Sequence, residues 1–75
     1  MTLKSCRLIE NTEKIVGRTT VEIAIYDDNT GDLRKRLVRV SEGLPRRLAR
    51  QNAIEEALRE AEQLGYEHVS NRKLY

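Results

Sequence analysis

The sequence predicts a small α+β domain in which an antiparallel sheet of three to four strands packs against one long α-helix, in the order β-β-β-α-β. Residues 19–27 alternate between apolar and polar side chains and are rich in β-branched types, which is typical of a strand. Residues 44–64 carry apolar side chains at helical spacing and are followed by a glycine. Because the chain has only 75 residues, we expect residues 1–75 to form a single domain with a small core.

The first and last strands are the least defined elements of the predicted sheet. Residues 3–10 alternate loosely, whereas the Asn-Thr-Glu of residues 11–13 predicts a turn and Gly17 predicts a bulge or bend. The sequence alone leaves open whether residues 1–16 form a sheet strand. Residues 66–70 predict a short final strand after the helix.

The two central strands are predicted to form a hairpin. Residues 19–27 place Val21, Ile23 and Ile25 on one face, and residues 33–41 return as the partner strand. The residues between them are rich in the Asp, Asn and Gly that turns use.

The register of this hairpin is predicted by pairing apolar side chains with each other and opposite charges with each other. Val21 would lie opposite Val40, and Glu22 would lie opposite Arg39. This register leaves residues 29–32 as the loop, a common hairpin length. A shift by one residue would move the valines of the second strand to the other face of the sheet.

A single helix is predicted to open at Pro45 and to end at Leu64, with Gly65 at its C-cap. Its expected sheet-facing stripe consists of Ile54, Ala57, Leu58, Ala61 and Leu64, with Leu48 extending it. Arg47 and Arg50 project on the same side as this stripe, where unpaired charges would be costly to bury. Either the first two helical turns overhang the edge of the sheet, which we expect, or the regular helix begins later, with Asn52 and Glu55 forming its cap.

The basic residues are concentrated in one segment. Residues 34–50 hold seven of the fourteen basic residues and one acid, a charge of +6, while the rest of the chain carries −4. The candidate binding residues of this segment are Arg34, Lys35, Arg36, Arg39, Arg46, Arg47 and Arg50. Six of them are arginines, whose planar guanidinium suits bidentate contact with phosphate or carboxylate. Three lie near the helix N-terminus, where the macrodipole favours an anion over a cation.

These observations predict a small nucleic-acid-binding accessory module that uses the second hairpin strand and the helix N-terminus. Tyr26, on the outer face beside Lys35, could stack on a base. In element order, with a basic hairpin before a helix, the chain resembles small DNA-binding domains such as the arm-binding domains of tyrosine recombinases.

The alternative is a protein-interaction or regulatory domain without enzymatic activity. The basic side chains would then be solvated, paired within the chain, or directed at an acidic partner protein. A homodimer is one form of this alternative, joined through an exposed strand edge or through the outer sheet face around Ala24, Tyr26 and Leu37.

No motif predicts catalysis, a metal site or a cofactor, and we expect no small-molecule substrate. Cys6 and His68 are the only thiol and imidazole, which is too few for a zinc site in one chain. We expect Cys6 in the core and His68 in solvent, and the acidic turn at residues 27–32 lacks the spacing of a calcium loop. The single cysteine, with no signal-peptide pattern and no long apolar run, predicts a cytoplasmic protein without a membrane partner.

Overall fold

A computed structural model describes residues 3–71, which form four strands and one helix. The elements are β1 (Ser5–Ile15), β2 (Arg18–Asp27), β3 (Leu33–Glu42), α1 (Arg46–Gln63) and β4 (His68–Val69). The α+β class and the order β-β-β-α-β are confirmed. The sheet order is β3-β2-β1-β4, and β4 runs parallel to β1, so the sheet is mixed and not wholly antiparallel. The chain reaches β4 from β3 through α1, which carries it to the opposite edge of the sheet.

β1 runs without a break through residues 11–13, so the predicted turn there is wrong. Each of those residues is paired with a residue of β2, and this pairing outweighs their local turn preference. The hairpin turns instead at Val16 and Gly17, whose φ angles are 46° and 75°. Two successive positive φ angles, between strands that end on the pair Ile15 and Arg18, correspond to a two-residue type I′ loop.

β2 and β3 pair one residue away from the predicted register. Val21 lies opposite Arg39, and Glu22 lies opposite Val38. The prediction matched apolar with apolar side chains, but β3 is an edge strand whose cations at positions 35 and 39 turn toward acids of α1. Val38 and Val40 therefore lie on the opposite face, where they are 46% and 57% exposed.

We call the face of the sheet that α1 does not cover the uncovered face. Its apolar and aromatic members are Ile9 and Ile15 of β1, Ala24 and Tyr26 of β2, and Leu33, Val38 and Val40 of β3. The predicted placement of Ala24 and Tyr26 on this outer face is confirmed. Leu37 was predicted there too, but the one-residue change of register places it in the core instead.

The core lies between α1 and the other face of the sheet. The strands and the segment after α1 contribute Cys6, Leu8, Val21, Ile23, Ile25, Leu37 and Tyr66. The helix contributes Ala49, Ala53, Ile54, Ala57 and Ala61. Alanine recurs at every fourth position of this stripe, and such small side chains let the helix backbone come close to the sheet.

The first turns of α1 pack on the sheet and do not overhang it, contrary to the prediction. Ala49 is 3% exposed, whereas Leu48, which was predicted to extend the buried stripe, is 41% exposed. The prediction favoured the larger apolar side chain, but Leu48 lies one position, or about 100° around the helix, from Ala49, which continues the spacing of Ala53, Ala57 and Ala61. Arg50, the reason for expecting an overhang, is accommodated because it pairs with Glu10 of β1.

The C-terminus of α1 has the cap that Gly65 predicts. The Gly65 N–H donates to the Glu62 carbonyl at 2.9 Å, and the Tyr66 N–H donates to the Ala61 carbonyl at 3.1 Å, which is the Schellman pattern. Gly65 has a φ of 91°, which a side-chain-bearing residue rarely adopts. The cap turns the chain back toward the sheet, so that Tyr66 enters the core.

Candidate nucleic-acid interface

Ion pairs within the chain occupy two of the predicted binding residues on the helix side of β3. Lys35 Nζ lies 2.7 Å from Glu60 Oε2, and the Arg39 guanidinium donates two hydrogen bonds to the Glu56 carboxylate. The hydrogen bonds from Arg39 lower the pKa of Glu56. These cations therefore fix α1 to β3.

Arg36 lies on the uncovered face, on the other side of the sheet from Lys35 and Arg39. Its Nε is 3.7 Å from Glu22 Oε1, so Glu22 pairs with Arg36, whereas the sequence predicted that it would pair with Arg39. The changed partner follows from the one-residue change of register. The basic side chains of β3 thus point to two opposite faces and do not form one patch.

Arg50 is half-buried and donates to Glu10, whose carboxylate also accepts from the Thr12 hydroxyl. Burial raises the pKa of Glu10, but the hydrogen bonds from Thr12 and Arg50 outweigh burial and hold that pKa below its usual value. The charge of Arg46 acts in the same direction. Glu10 of β1 therefore anchors the start of α1 by attracting its arginines.

Arg46 and Arg47 are exposed at the first positions of α1. Pro45 is the N-cap residue and offers no side-chain hydrogen bond, and no acidic residue lies in the first turn. The N–H groups of a first helical turn have no partners within the helix, and the macrodipole is positive there. Two exposed arginines thus lie at a helix start that has no side-chain cap and no acid in its first turn, although Glu10 of β1 attracts Arg46.

Arg34 lies at the other end of the sheet, near the Asp27 carboxylate, whose pKa it helps to lower. Of the seven predicted residues, the structure therefore brings only Arg46, Arg47 and Arg50 together at the start of α1. Lys14, which the predicted set does not include, is exposed on the helix side of β1 near the same end of the sheet. The two-residue turn at residues 16–17 is the signal that could have placed it there.

The Asp27 carboxylate accepts hydrogen bonds from the turn that follows β2 and from Tyr66. Its Oδ1 accepts from the N–H groups of Asn29 and Thr30 at 2.8 and 3.1 Å, and its Oδ2 accepts from the Tyr66 hydroxyl at 2.8 Å. The hydrogen bond from Tyr66 is the main cause that lowers the pKa of Asp27. Residues 3–71 contain no group of three or more side chains that could hold a metal ion.

Cys6 and His68 lie on neighbouring strands but on opposite sides of the sheet. Cys6 is fully buried in the core, and burial raises the pKa of its thiol. His68 is exposed on β4, so both predicted placements are confirmed. A buried thiol facing away from the imidazole is not an activated nucleophile.

The chain matches no protein-family model, no curated protein and no solved structure. No helix within residues 3–71 is long and apolar enough to cross a membrane.

Proposed function

We propose that this protein is a small accessory module that binds nucleic acid at the start of α1. The observation that carries the proposal is the pair of exposed arginines, Arg46 and Arg47, on a helix N-terminus without a side-chain cap. A phosphate placed there meets guanidinium donors, first-turn N–H groups and the positive end of the macrodipole together. Arg50 and Lys14 add positive charge at this end of the sheet, which the Glu10 carboxylate partly offsets because it binds Arg50 and attracts Arg46.

The other predicted residues take a smaller part in this proposal. Lys35, Arg36 and Arg39 each lie beside a carboxylate of their own chain, which offsets their attraction for phosphate. With Arg46, Arg47 and Lys14 as the main contacts, the logarithm of the binding constant should fall with the logarithm of salt concentration with a slope of about −2 to −3. Such a slope fits a module that assists binding by a larger assembly. The single cysteine favours the cytoplasm as its compartment.

A pair of matched double variants tests this proposal. Replacing Arg46 and Arg47 with alanine removes two charges at the start of α1, and replacing Arg34 and Arg36 with alanine removes two charges elsewhere. Affinity for a short duplex DNA or RNA at low salt should fall about tenfold or more in the first variant and about twofold in the second. Equal losses in the two variants would contradict a localised site, because they would show that only net charge matters.

A second function, a protein-interaction or regulatory domain, is favoured by the uncovered face. That face exposes the apolar side chains Ile9, Ile15, Leu33, Val38 and Val40. Several apolar side chains on one sheet face with no covering layer indicate a contact surface for another protein. This function requires no reaction and no cofactor.

A further inference from the structure

β3 is the outer strand of the sheet, and nothing in residues 3–71 pairs with its free side. The alternation of the ladder identifies the backbone groups that point outward. The side-chain amide of Asn71 bonds to the N–H and C=O of Leu8, so even-numbered residues of β1 point away from β2. Followed across β1 and β2, this alternation leaves the N–H and C=O groups of Arg36, Val38 and Val40 directed outward from β3.

We infer that β3 pairs antiparallel with β3 of a second copy of this chain, with the two Val38 residues opposite each other on the two-fold axis. The inference rests on the second function proposed above and names its partner. Pairing of the two β3 strands joins the sheets of the two copies into one continuous sheet, with both helices on the same side.

Charge complementarity selects this register among the symmetric ones. Centring the pair on Arg36 or on Arg39 places two arginines directly opposite each other, and centring it on Leu37 places Lys35 opposite Arg39. Centring it on Val40 pairs only residues 38–42.

With Val38 at the centre, residues 35–41, which follow the irregularity in the β2–β3 ladder, all pair and no like charges lie directly opposite. Arg34, which lies at that irregularity, then approaches Glu42 of the second copy, a carboxylate that its own chain already pairs with Arg18 at 3.0 Å. This approach of opposite charges occurs twice by symmetry. Arg36 faces Val40 of the second copy, which the aliphatic part of the arginine side chain can cover.

The intramolecular ion pairs make this edge suitable for pairing. Charged side chains, lysine above all, normally protect an exposed edge strand from association. In β3, Lys35 is bound to Glu60, Arg36 lies beside Glu22, and Arg39 is bound to Glu56. The strand is basic in sequence, but three of its four cations are compensated by their own chain before a second copy approaches.

The surroundings of β3 on both faces of the sheet also leave this strand accessible to the second copy. α1 lies mainly over β2 and covers β3 least among the three long strands it crosses. Val38 and Val40 are exposed on the uncovered face, and pairing places them next to the same residues of the second copy. The apolar surface becomes continuous across the two-fold axis and is partly removed from water.

The mass of the full chain in solution, measured at micromolar concentration by sedimentation or light scattering, tests the inference. We expect a dimer. Val38→Lys should raise its dissociation constant about tenfold or more because two ammonium groups would meet on the axis. Ile9→Lys places the same charge on the uncovered face away from β3 and should leave the mass unchanged. Loss of the dimer in Ile9→Lys and not in Val38→Lys would overturn edge pairing in favour of face packing.

A charge exchange tests the register. Arg34→Glu alone and Glu42→Arg alone should each weaken the dimer, because each places like charges opposite each other, and the double exchange should restore it. Failure of the double exchange to restore the dimer would overturn the register.

Amide hydrogen exchange tests the same pairing without a variant. In the dimer the amides of Arg36, Val38 and Val40 should be protected in a concentration-dependent way, whereas the amide of Leu37, which faces β2, should be protected at every concentration. A wild-type chain that is monomeric and exchanges all three amides rapidly would overturn the inference, whether or not it binds nucleic acid. A dimer without affinity for nucleic acid would instead overturn only the first proposed function.

Discussion

The two ends of the sheet differ in how many of their polar groups have partners within the chain. At the end where β2 leads into the Asp27 turn, which we call the closed end, Tyr66 donates to Asp27 and Lys4 Nζ donates to the Leu64 carbonyl at 2.9 Å. The same ammonium lies 4.8 Å from the centre of the Tyr66 ring. The C-terminus of α1 is thus capped by its own backbone and by a cation from the segment before β1.

At the other end, which we call the open end, β1 turns into β2 and α1 begins. The helix start has no side-chain cap, and Val16 is 98% exposed with a positive φ that a β-branched residue rarely adopts. The buried hydroxyl of Thr19 has no hydrogen-bond partner among residues 3–71. The closed end thus satisfies its polar groups within the chain, whereas the open end has a helix start without a side-chain cap and a fully buried Thr19 hydroxyl that no external ligand reaches.

The largest difference in the free energy of unfolding is expected between two variants of β1, the strand that runs from the closed end to the open end. Leu8→Ala empties a fully buried site and should lower the free energy of unfolding by about 2–5 kcal/mol. Ile15→Ala, at a 62% exposed site near the open end, should change it by less than about 0.5 kcal/mol. Urea denaturation of both variants measures the difference. Similar losses would show that the open end packs as tightly as the core.

The next effect concerns the Tyr66 hydroxyl at the closed end. Tyr66→Phe removes the hydrogen bond to Asp27 and should lower the free energy of unfolding by about 1–2 kcal/mol. Tyr26→Phe removes the same atom on the uncovered face and should change it by less than about 0.5 kcal/mol. Thermal denaturation of the two variants compares them, and an equal effect would rule out a stabilising role for the Asp27 contact.

The same hydrogen bond predicts a pH dependence. The pKa of Asp27 is lower in the folded chain than in the unfolded chain, so its contribution to stability is present above the unfolded value and is lost as the pH falls through the folded value. The stability of the native chain should therefore fall below about pH 4. In Tyr66→Phe this fall should be shallower, since the main cause of the lowered pKa is gone. Parallel acid titrations of unfolding would contradict this account.

A gain in stability is expected at the turn of the open end. Val16→Asn places a residue that tolerates positive φ in the two-residue loop and should raise the free energy of unfolding by about 1 kcal/mol. Gly17→Ala should lower it, because alanine is strained at a φ of 75°. A loss of stability in Val16→Asn would show that the valine side chain makes a stabilising contact.

The smallest effect on stability is expected at the helix start. Arg47→Glu places a favourable charge near the positive end of the macrodipole and should stabilise the fold by a few tenths of a kcal/mol. The same variant should bind nucleic acid more weakly than the native chain. Unchanged binding, measured by fluorescence anisotropy with a labelled duplex, would remove Arg47 from the proposed site.

The sequence predicted the fold better than it predicted the arrangement of charges. Strong periodicity placed β2 and α1, and Gly65 placed the C-terminus of the helix. The register of β3 was displaced by one residue, whereas the stripe of α1 was correct at Ile54, Ala57 and Ala61 and wrong at its start, where Ala49 and not Leu48 is buried. Both errors came from giving weight to the larger apolar side chains: the sequence does not show that Lys35 and Arg39 pair with acids of α1, or that Ala49 and not Leu48 continues the buried stripe.

The candidate site shows the same limit. The segment of residues 34–50 is a single basic run in sequence, yet the sheet divides it between two faces and two ends. Of the candidate residues, only those at the helix start could be located from the sequence, because a proline marks the beginning of the helix. The position of Lys14 depends on β1 continuing past residues 11–13, whereas local turn preference predicted a turn there.

The most direct test of the claim that the open end binds nucleic acid is a titration of isotope-labelled protein with a short duplex DNA and a short RNA, followed by backbone amide NMR. At low salt we expect shifts concentrated in residues 46–50 and residues 14–18, and these shifts should be reversed at moderate salt. Shifts centred on the Asp27 turn or on the uncovered face, or no shifts at low salt, would contradict the claim.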